Sequence, residues 1–448
     1  MQTPQPPDVA SARGREMIAA AQDLWSDPLK ARAQLGRMFP GADADMIRSA
    51  TLQAELAHRA RTRFPALADE VVWSRDGLEQ ASRPAVSSYR AGRLRAAGVT
   101  RVLDMTAGIG LDALAFAAAG MRVDAVEADP ATAALAAANA EHLGQGRMRV
   151  FIGDCRNPEA LSELPAADAW FIDPARRTAV RGAHGEHRRL DDPESWSPPW
   201  SWVLAQAARV GSGRGPRMLM VKAAPGLPHE AIIEVPGTAV DAEWVSVSGQ
   251  LLETCVTWRR CPDADASAPR RAAVVIDGSG DDAGLLRIES ERGRAELTNS
   301  DVDGPAAAGT RPHPGIHLHD PDPAIVRAHL VAEFAIAAGA ELIDPKLAYL
   351  TSTEPLRQPW RAGVRSWRVL DAGPYDPRRL RTACADHGIE TVEVTGRGRR
   401  LDPARVRRDL RLPKRPRSSE SARATLIVLA LGAERTTWTC LALACSPR

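Results

Sequence analysis

The sequence predicts an α/β protein built on an open, mostly parallel sheet, with a helical segment before it and an α+β module after it. Two observations carry this. Five short apolar runs, Arg101 to Met105, Arg122 to Glu127, Met148 to Ile152, Ala169 to Ile172 and Arg217 to Val221, alternate with stretches of helical periodicity, and strands separated by helices pair in parallel. Two further runs, Ala242 to Val247 and Leu251 to Trp258, are separated by Ser248-Gly249-Gln250 and read as a terminal hairpin.

The flanks follow from length and pattern. At 448 residues the chain exceeds the ~250–300 residues at which one core stops growing, so two or three domains are expected. From Ser11 to Ala97, Met17, Ala20, Ala21 and Leu24 recur at helical spacing with no strand-like alternation, giving a helical domain over 1–97 and the sheet domain over 98–260. The small, polar stretch from Cys261 to Pro269 reads as a linker (261–271). The module over 272–448 has expected strands at Ala272 to Ile276, Leu285 to Ile288, Ser366 to Leu370, Thr391 to Val394, Leu426 to Leu431 and Trp438 to Leu443. Its expected helices are Pro323 to Ala338, Pro377 to Cys384 and Pro403 to Leu410, and Glu291 to Thr310 reads as a flexible loop.

Composition narrows the class. The apolar share of 44% and charged share of 25% are those of a globular chain with room for sizeable cores. Runs such as Thr425 to Leu431 are far shorter than the ~20 residues of a membrane helix, and no signal or lipidation motif is visible, so a cytoplasmic protein is expected. Six cysteines without a C-x-x-C pair argue against a zinc ribbon or a disulfide framework. The net charge of +2 requires any nucleic-acid affinity to come from local patches.

A nucleotide-like ligand on such a sheet binds where the first strand turns into its helix. Asp104-Met-Thr106-Ala-Gly108-Ile-Gly110 occupies that turn, and its glycines let backbone approach a ligand that side chains would exclude. Seventeen residues after Gly110, Glu127 ends the second strand, where a carboxylate can accept both hydrogen bonds of a ribose diol. Asp154, after the third strand, is placed to accept from an adenine amino group. Gly108-x-Gly110-x-x-Ala113 also satisfies the loose dinucleotide fingerprint. Against a nicotinamide or flavin stand Asp104 four residues before the glycine pair, Asp154, and the fourth-strand motif.

Residues 100 to 175 resemble class I S-adenosylmethionine-dependent methyltransferases, whose first motif is acidic-x-Gly-x-Gly-x-Gly, with Thr106 standing where the first glycine usually lies. The resemblance implies a Rossmann-like seven-stranded sheet with a reversed final strand, and S-adenosylmethionine as the cofactor held by Asp104, Thr106, Gly108, Gly110, Glu127 and Asp154. It also makes Asp173-Pro174-Ala175-Arg176-Arg177, after the fourth strand, the substrate-facing loop of enzymes that act on nucleic acids. Amino-group methyltransferases place an aromatic residue here to stack on a flipped base; this chain has Arg176. Asp-Pro-x-Arg is similar to RNA uracil C5 enzymes, but those need a cysteine after the fifth strand, where Lys222-Ala-Ala-Pro-Gly226 stands, so a C5 mechanism is disfavoured and Cys255 is assigned to the core. Asp173, Pro174 and Arg176 are the expected catalytic residues, Asp173 orienting or deprotonating the acceptor, with Arg176 or Arg177 holding a phosphate or carboxylate.

Residues from about 313 onward resemble the THUMP-like domain that follows this kind of methyltransferase in bacterial proteins, through Asp322-Pro323-Ala-Ile-Val-Arg327, Leu342-Ile-Asp344-Pro345 with Ala348-Tyr349-Leu350-Thr351, and the Arg397 to Leu410 region. That resemblance implies an RNA partner. Between Thr391 and Arg417 ten basic residues face three acids, a patch able to neutralise several phosphates, with Arg397, Arg399 and Arg400 as expected substrate-binding residues. It contains no aromatic residue, so backbone contact is favoured over base reading. His313, His317 and His319 near Asp320 match no standard zinc spacing, and no metal is expected. Three readings stay open: an RNA methyltransferase, a methyltransferase of a small molecule or protein, and a non-catalytic cofactor-binding protein.

Overall fold

A computed structural model describes residues 1–24, 28–157, 161–176, 192–213, 215–261, 269–278, 284–290, 311–344, 346–396, 401–412, 422–431 and 436–445. The chain falls into two compact units, Met1–Val240 with Cys255–Ala266, and Asp241–Thr254 with Ser267–Arg448.

The first unit opens with five helices, α1 (Ala12–Asp23), α2 (Pro28–Met38), α3 (Ala44–Ala60), α4 (Arg75–Gln80) and α5 (Pro84–Ala96). Short polar side chains start three of them: Ser11, Asp43 and Ser74 accept the backbone N–H of Gly14, Met46 and Gly77, groups that lack a partner within the first helical turn. Phe64, Trp73, Leu56 and Leu78 form an apolar core with Ile109, which belongs to the turn after the first strand. The helical segment therefore packs onto the sheet domain rather than standing apart.

The sheet contains β1 (Arg101–Asp104), β2 (Arg122–Glu127), β3 (Met148–Ile152), β4 (Ala169–Ile172), β5 (Met218–Ala223), β6 (Thr238–Val247) and β7 (Gln250–Arg260) in the order β3-β2-β1-β4-β5-β7-β6. Helices α6 (Leu111–Ala118), α7 (Pro130–Leu143) and α8 (Trp200–Ala207) lie between its strands in sequence. Strand β1 pairs in parallel with β2 on one side and β4 on the other, so the chain reverses its direction of travel across the sheet at this gap. The β6–β7 hairpin turns at Ser248 (φ 49°) and Gly249 (φ 79°), the two positive dihedrals of a tight hairpin whose twist suits the flanking strands.

Strands β8 (Arg270–Asp277) and β9 (Gly284–Glu289) prolong the same sheet, β8 parallel to β6 and β9 antiparallel to β8. Their apolar runs resemble those of any strand, and nothing local in the sequence says which sheet they join. Buried ion pairs hold this register, with Arg270 Nε on Asp241 at 2.9 Å and Arg287 Nη2 on Glu243 at 2.9 Å.

The remaining residues of the second unit form a seven-stranded sheet, β11-β12-β10-β13-β16-β15-β14, from β10 (His317–Pro321), β11 (Glu341–Asp344), β12 (Leu347–Ser352), β13 (Val364–Pro374), β14 (Ile389–Gly396), β15 (Ala422–Leu431) and β16 (Thr436–Ala444). All pairs with a described register are antiparallel except β14 with β15. Helices α11 (Pro377–Asp386) and α12 (Pro403–Leu410) cover one face through Leu380, Val406 and Leu410 against Leu426 and Leu441. Strands β10, β11 and β12 were not expected from the sequence; β10 is mostly polar, with Leu318 its one aliphatic side chain besides Pro321. The single helix expected over Pro323 to Ala338 is two, α9 (Pro323–Arg327) and α10 (Val331–Ala338), since His329 adopts φ 55° and a left-handed residue ends a helix. Of the linker expected over 261–271, residues 262–268 lie outside the described residues and Arg270 and Arg271 begin β8; the loop expected over 291–310 also lies outside them. No helix among the described residues is long and apolar enough to cross a membrane.

One buried amide joins the helical segment to the sheet domain. Asn139 of α7 is fully buried; its Oδ1 accepts Val72 N–H at 2.8 Å, and its Nδ2 donates to Val72 O at 3.2 Å and Ile109 O at 3.0 Å. Asn139→Ala would strand one N–H and two carbonyls in an apolar interior. We expect it to cost about 3 kcal/mol, read as a lower midpoint in urea denaturation.

Candidate active site

All six expected cofactor residues lie at or just beyond the carboxyl ends of β1, β2 and β3, on the flank of the gap where strand order reverses. Asp104 ends β1 and is 1% exposed. Its Oδ1 accepts Thr106 N–H at 3.1 Å, whereas its buried Oδ2 has no hydrogen-bond partner among the described residues. Burial raises its pKa well above the ordinary carboxylate range; the Thr106 N–H opposes this, and the like charges of Asp112, Asp173 and Glu127 add to it.

The loop beyond Asp104 is shaped by two glycines. Gly108 (φ 56°) and Gly110 (φ 89°) both occupy the left-handed region that side chains disfavour. A Cβ on Gly108 would meet nothing within 4 Å, so open space lies over the backbone there, while one on Gly110 would meet Met148 Cε at 2.8 Å. The Gly108 N–H donates to Glu127 Oε2 at 2.9 Å and Asp129 N–H donates to Oε1 at 2.9 Å. Each Glu127 oxygen is thus fixed by one backbone bond and keeps further acceptor capacity.

Thr106 has a role the motif comparison could not supply: its Oγ1 accepts the Asp173 backbone N–H at 2.6 Å. A glycine could not make this tie between the β1 loop and the β4 loop. Asp154 follows β3, as expected, and is already engaged. Its carboxylate is partly exposed and gripped by Arg156, Nη2 to Oδ2 at 2.6 Å, and hydrogen bonds from Arg156 hold its pKa below the ordinary value. Beside it, Ile152 N–H donates to Gln2 O at 2.8 Å, and a Cβ on Gly153 would strike Met1 Cε.

On the other side of the gap, Asp173 follows β4 and Pro174 is buried behind it. Lys222, the penultimate residue of β5, places Nζ 2.5 Å from Asp173 Oδ2. A second charged group backs this one: the buried Arg90 guanidinium bonds Asp112 Oδ1 and, at 2.7 Å, Ser82 Oγ, and its Cζ lies 5.6 Å from the Phe171 ring centre. Burial would raise the Asp112 pKa, yet the charges of Arg90 and Lys222 carry it below the ordinary value. Sequence reading missed Lys222, Arg90 and Asp112. The available signal was a lysine ending a strand in a chain whose basic residues are almost all arginine.

Arg176 is half-buried, and Arg177, Arg397, Arg399 and Arg400 lie outside the described residues. Cys255 is buried in the apolar core of the sheet. The histidines do not converge on one point: His313 Nδ1 bonds its neighbouring Pro314 carbonyl, and His319 sits between Ser352 and Ser366 hydroxyls at 2.8 Å each. Burial first, then the His317 charge, lowers the His319 pKa to about 4. Among the described residues no three His, Cys, Asp or Glu side chains are grouped to hold a metal ion.

The strand order and the glycine loop are those of a class I methyltransferase, and comparison with known proteins agrees. A protein of Mycobacterium tuberculosis named as an uncharacterized S-adenosylmethionine-dependent methyltransferase is 30% identical over 337 residues, covering 75% of this chain and 80% of the relative; two strains carry it. The chain belongs to this family of S-adenosylmethionine-dependent methyltransferases. Residues 364–443 match the family described as THUMP domain-like. A crystal structure from Porphyromonas gingivalis W83 assigned to a methyltransferase shares the fold over 96% of this chain and 98% of its own, with a TM-score of 0.67 at 17% identity.

The residues present fit S-adenosylmethionine. The orphaned Asp104 Oδ2 lacks a donor or cation, and this cofactor carries an ammonium and a sulfonium. The space over Gly108 and the fixed Glu127 carboxylate suit a backbone-hugging nucleoside.

Because burial disfavours the ionised form of Asp104, the protein without cofactor loses stability as pH rises from the unfolded-state value of about 3.9 through the raised native value. Asp104→Asn removes that loss. We expect the variant to melt higher than wild type at neutral pH and no higher below about pH 4, as thermal melts at the two pH values would show.

Proposed function

We propose that the protein transfers the methyl group of S-adenosylmethionine to RNA. In this reading Asp104, Thr106, Gly108, Gly110, Glu127 and Asp154 hold the cofactor, Asp173, Pro174 and Arg176 form the acceptor edge, and the C-terminal basic segment carries the phosphate backbone. The cofactor supplies an activated methyl group on sulfur. The protein's part is to align the acceptor with it in a site kept dry by the strand-end loops, which can supply much of the acceleration.

Glu127 would accept the ribose diol, with Asp154 at the adenine edge. For Asp154 that role requires sharing a carboxylate already engaged by Arg156, whereas Glu127 has acceptor capacity to spare. Arg177, Arg397, Arg399 and Arg400 complete the proposed substrate contacts from sequence alone.

The RNA reading is carried by one observation. Within the span that matches the THUMP domain-like family, α12 exposes Arg405, Arg407 and Arg408, and Arg411 follows at its end, while Val406 and Leu410 are buried. Its outer face is thus a basic stripe, and its apolar face anchors it to the sheet. Positive charge of this kind binds phosphates without reading sequence.

Three measurements test the reading. Glu127→Ala removes two hydrogen bonds of about 1.4 kcal/mol each, so S-adenosylmethionine should bind about 100-fold more weakly in a calorimetric titration; unchanged affinity would place the ribose elsewhere. Reversing Arg405, Arg407 and Arg408 to glutamate should lower the slope of log affinity against log salt for single-stranded RNA by about 2. Methyl label that enters the protein or small-molecule fraction of a lysate and not RNA would discard the substrate class.

A further inference from the structure

Lys222 stands at the acceptor edge with no role in the cofactor motif. Of the two lysines whose side chains are described, Lys346 is exposed, whereas Lys222 is 6% exposed. A buried ammonium is costly and is kept where it has a partner. Its partner is Asp173 Oδ2 at 2.5 Å, and Asp173 is more open than the lysine, with side-chain exposures of 25% and 7%. The aspartate is itself held in place by its backbone N–H on Thr106 Oγ1, and Thr106 belongs to the loop that cradles the cofactor. Among the described residues, Asp173 acts on Asp104 of β1 and Lys222 on Asp112 of α6, and Asp112 in turn pairs with Arg90 of α5.

We propose that Lys222 is a further residue of the methyl-transfer site and that the acceptor it selects is a hydroxyl oxygen, which on an RNA substrate is a ribose hydroxyl. The sign of the charge decides between acceptors. An amino nitrogen becomes positive as it takes a methyl group, and a neighbouring ammonium opposes that. A hydroxyl oxygen becomes negative as its proton leaves, and the same ammonium stabilises it. The acceptor oxygen's lone pair forms the bond to the methyl carbon, and the carbon–sulfur bond breaks with its electron pair going to sulfur. The hydroxyl proton passes to Asp173 Oδ1, while Lys222 holds Oδ2, and then leaves to solvent. The described residues directly after Asp173 agree with this choice: Pro174, Ala175 and Arg176 offer no aromatic ring for a flipped base, and both backbone polar groups of Ala175 are engaged by Ser197, at 2.8 and 3.0 Å.

The inference rests on the reading of the Asp173 edge as the acceptor edge, and its test separates the two. Wild type, Lys222→Met and Lys222→Arg are incubated with methyl-labelled S-adenosylmethionine and a lysate of cells lacking the gene. The RNA, protein and small-molecule fractions are then digested, and the labelled atom is identified. The expected result is label on oxygen, with single-turnover transfer slowed about 100-fold or more in Lys222→Met. Lys222→Arg, which keeps the charge, should retain about a tenth of the wild-type rate, and both variants should bind S-adenosylmethionine within about threefold of wild type. That pattern of unchanged binding, lost rate and rescue by the conservative variant is not what a purely structural ion pair gives. Label on nitrogen or carbon overturns the inference and leaves RNA as substrate if it lies in RNA. Label on oxygen in protein or a small molecule supports Lys222 and removes RNA. Wild-type rates in Lys222→Met, or no label in any fraction, overturn the inference.

Discussion

Parallel strands whose connections depart in opposite directions leave a crevice at their carboxyl ends, and here that crevice lies between β1 and β4. Both halves of the chemistry depend on it. The β1 loop lines one side with backbone and glycine, and the β4 loop lines the other with an acid and a proline. A side-chain hydrogen bond, Asp173 N–H to Thr106 Oγ1, ties the loop after β4 to the loop after β1. In the proposed reading it ties the loop that would hold the cofactor to the loop that would face the acceptor, and a site that aligns two reactants gains from such a tie.

The crevice also concentrates like charge. Asp112, Asp173 and Glu127 each act on the buried Asp104, and in a dry interior such a set is unfavourable unless cations accompany it. Arg90 and Lys222 supply part of that compensation for Asp112 and Asp173. Among the described residues Asp104 Oδ2 has no hydrogen-bond partner, and in the proposed reading a cationic cofactor would answer it.

The N-terminal helices serve the same crevice from behind. Arg90 comes from α5, and Asn139 ties Val72 to the turn at Ile109, next to Gly108 and Gly110. Helices that could be mistaken for a separate domain therefore brace the glycine loop. The second unit works by a different physics, with an apolar helix face seated on a sheet and an arginine face outward on α12.

The sequence by itself determined the alternation of strands and helices, the glycine turn and the strand-end acids Asp104, Glu127, Asp154 and Asp173. Each of these is set by neighbours a few residues away, through hydrophobic period, backbone dihedral or position at a strand end. It did not determine the role of Thr106, the pairing of Lys222 with Asp173, the buried Arg90, the grip of Arg156 on Asp154 or the sheet that β8 and β9 join. Most of these depend on partners tens of residues away or more, 67 for Thr106 and Asp173 and 49 for Lys222 and Asp173. Even the close Arg156 pair depends on side-chain geometry that spacing does not encode. Only tertiary structure decides which charges meet, because a buried charge takes its identity from what the fold sets beside it.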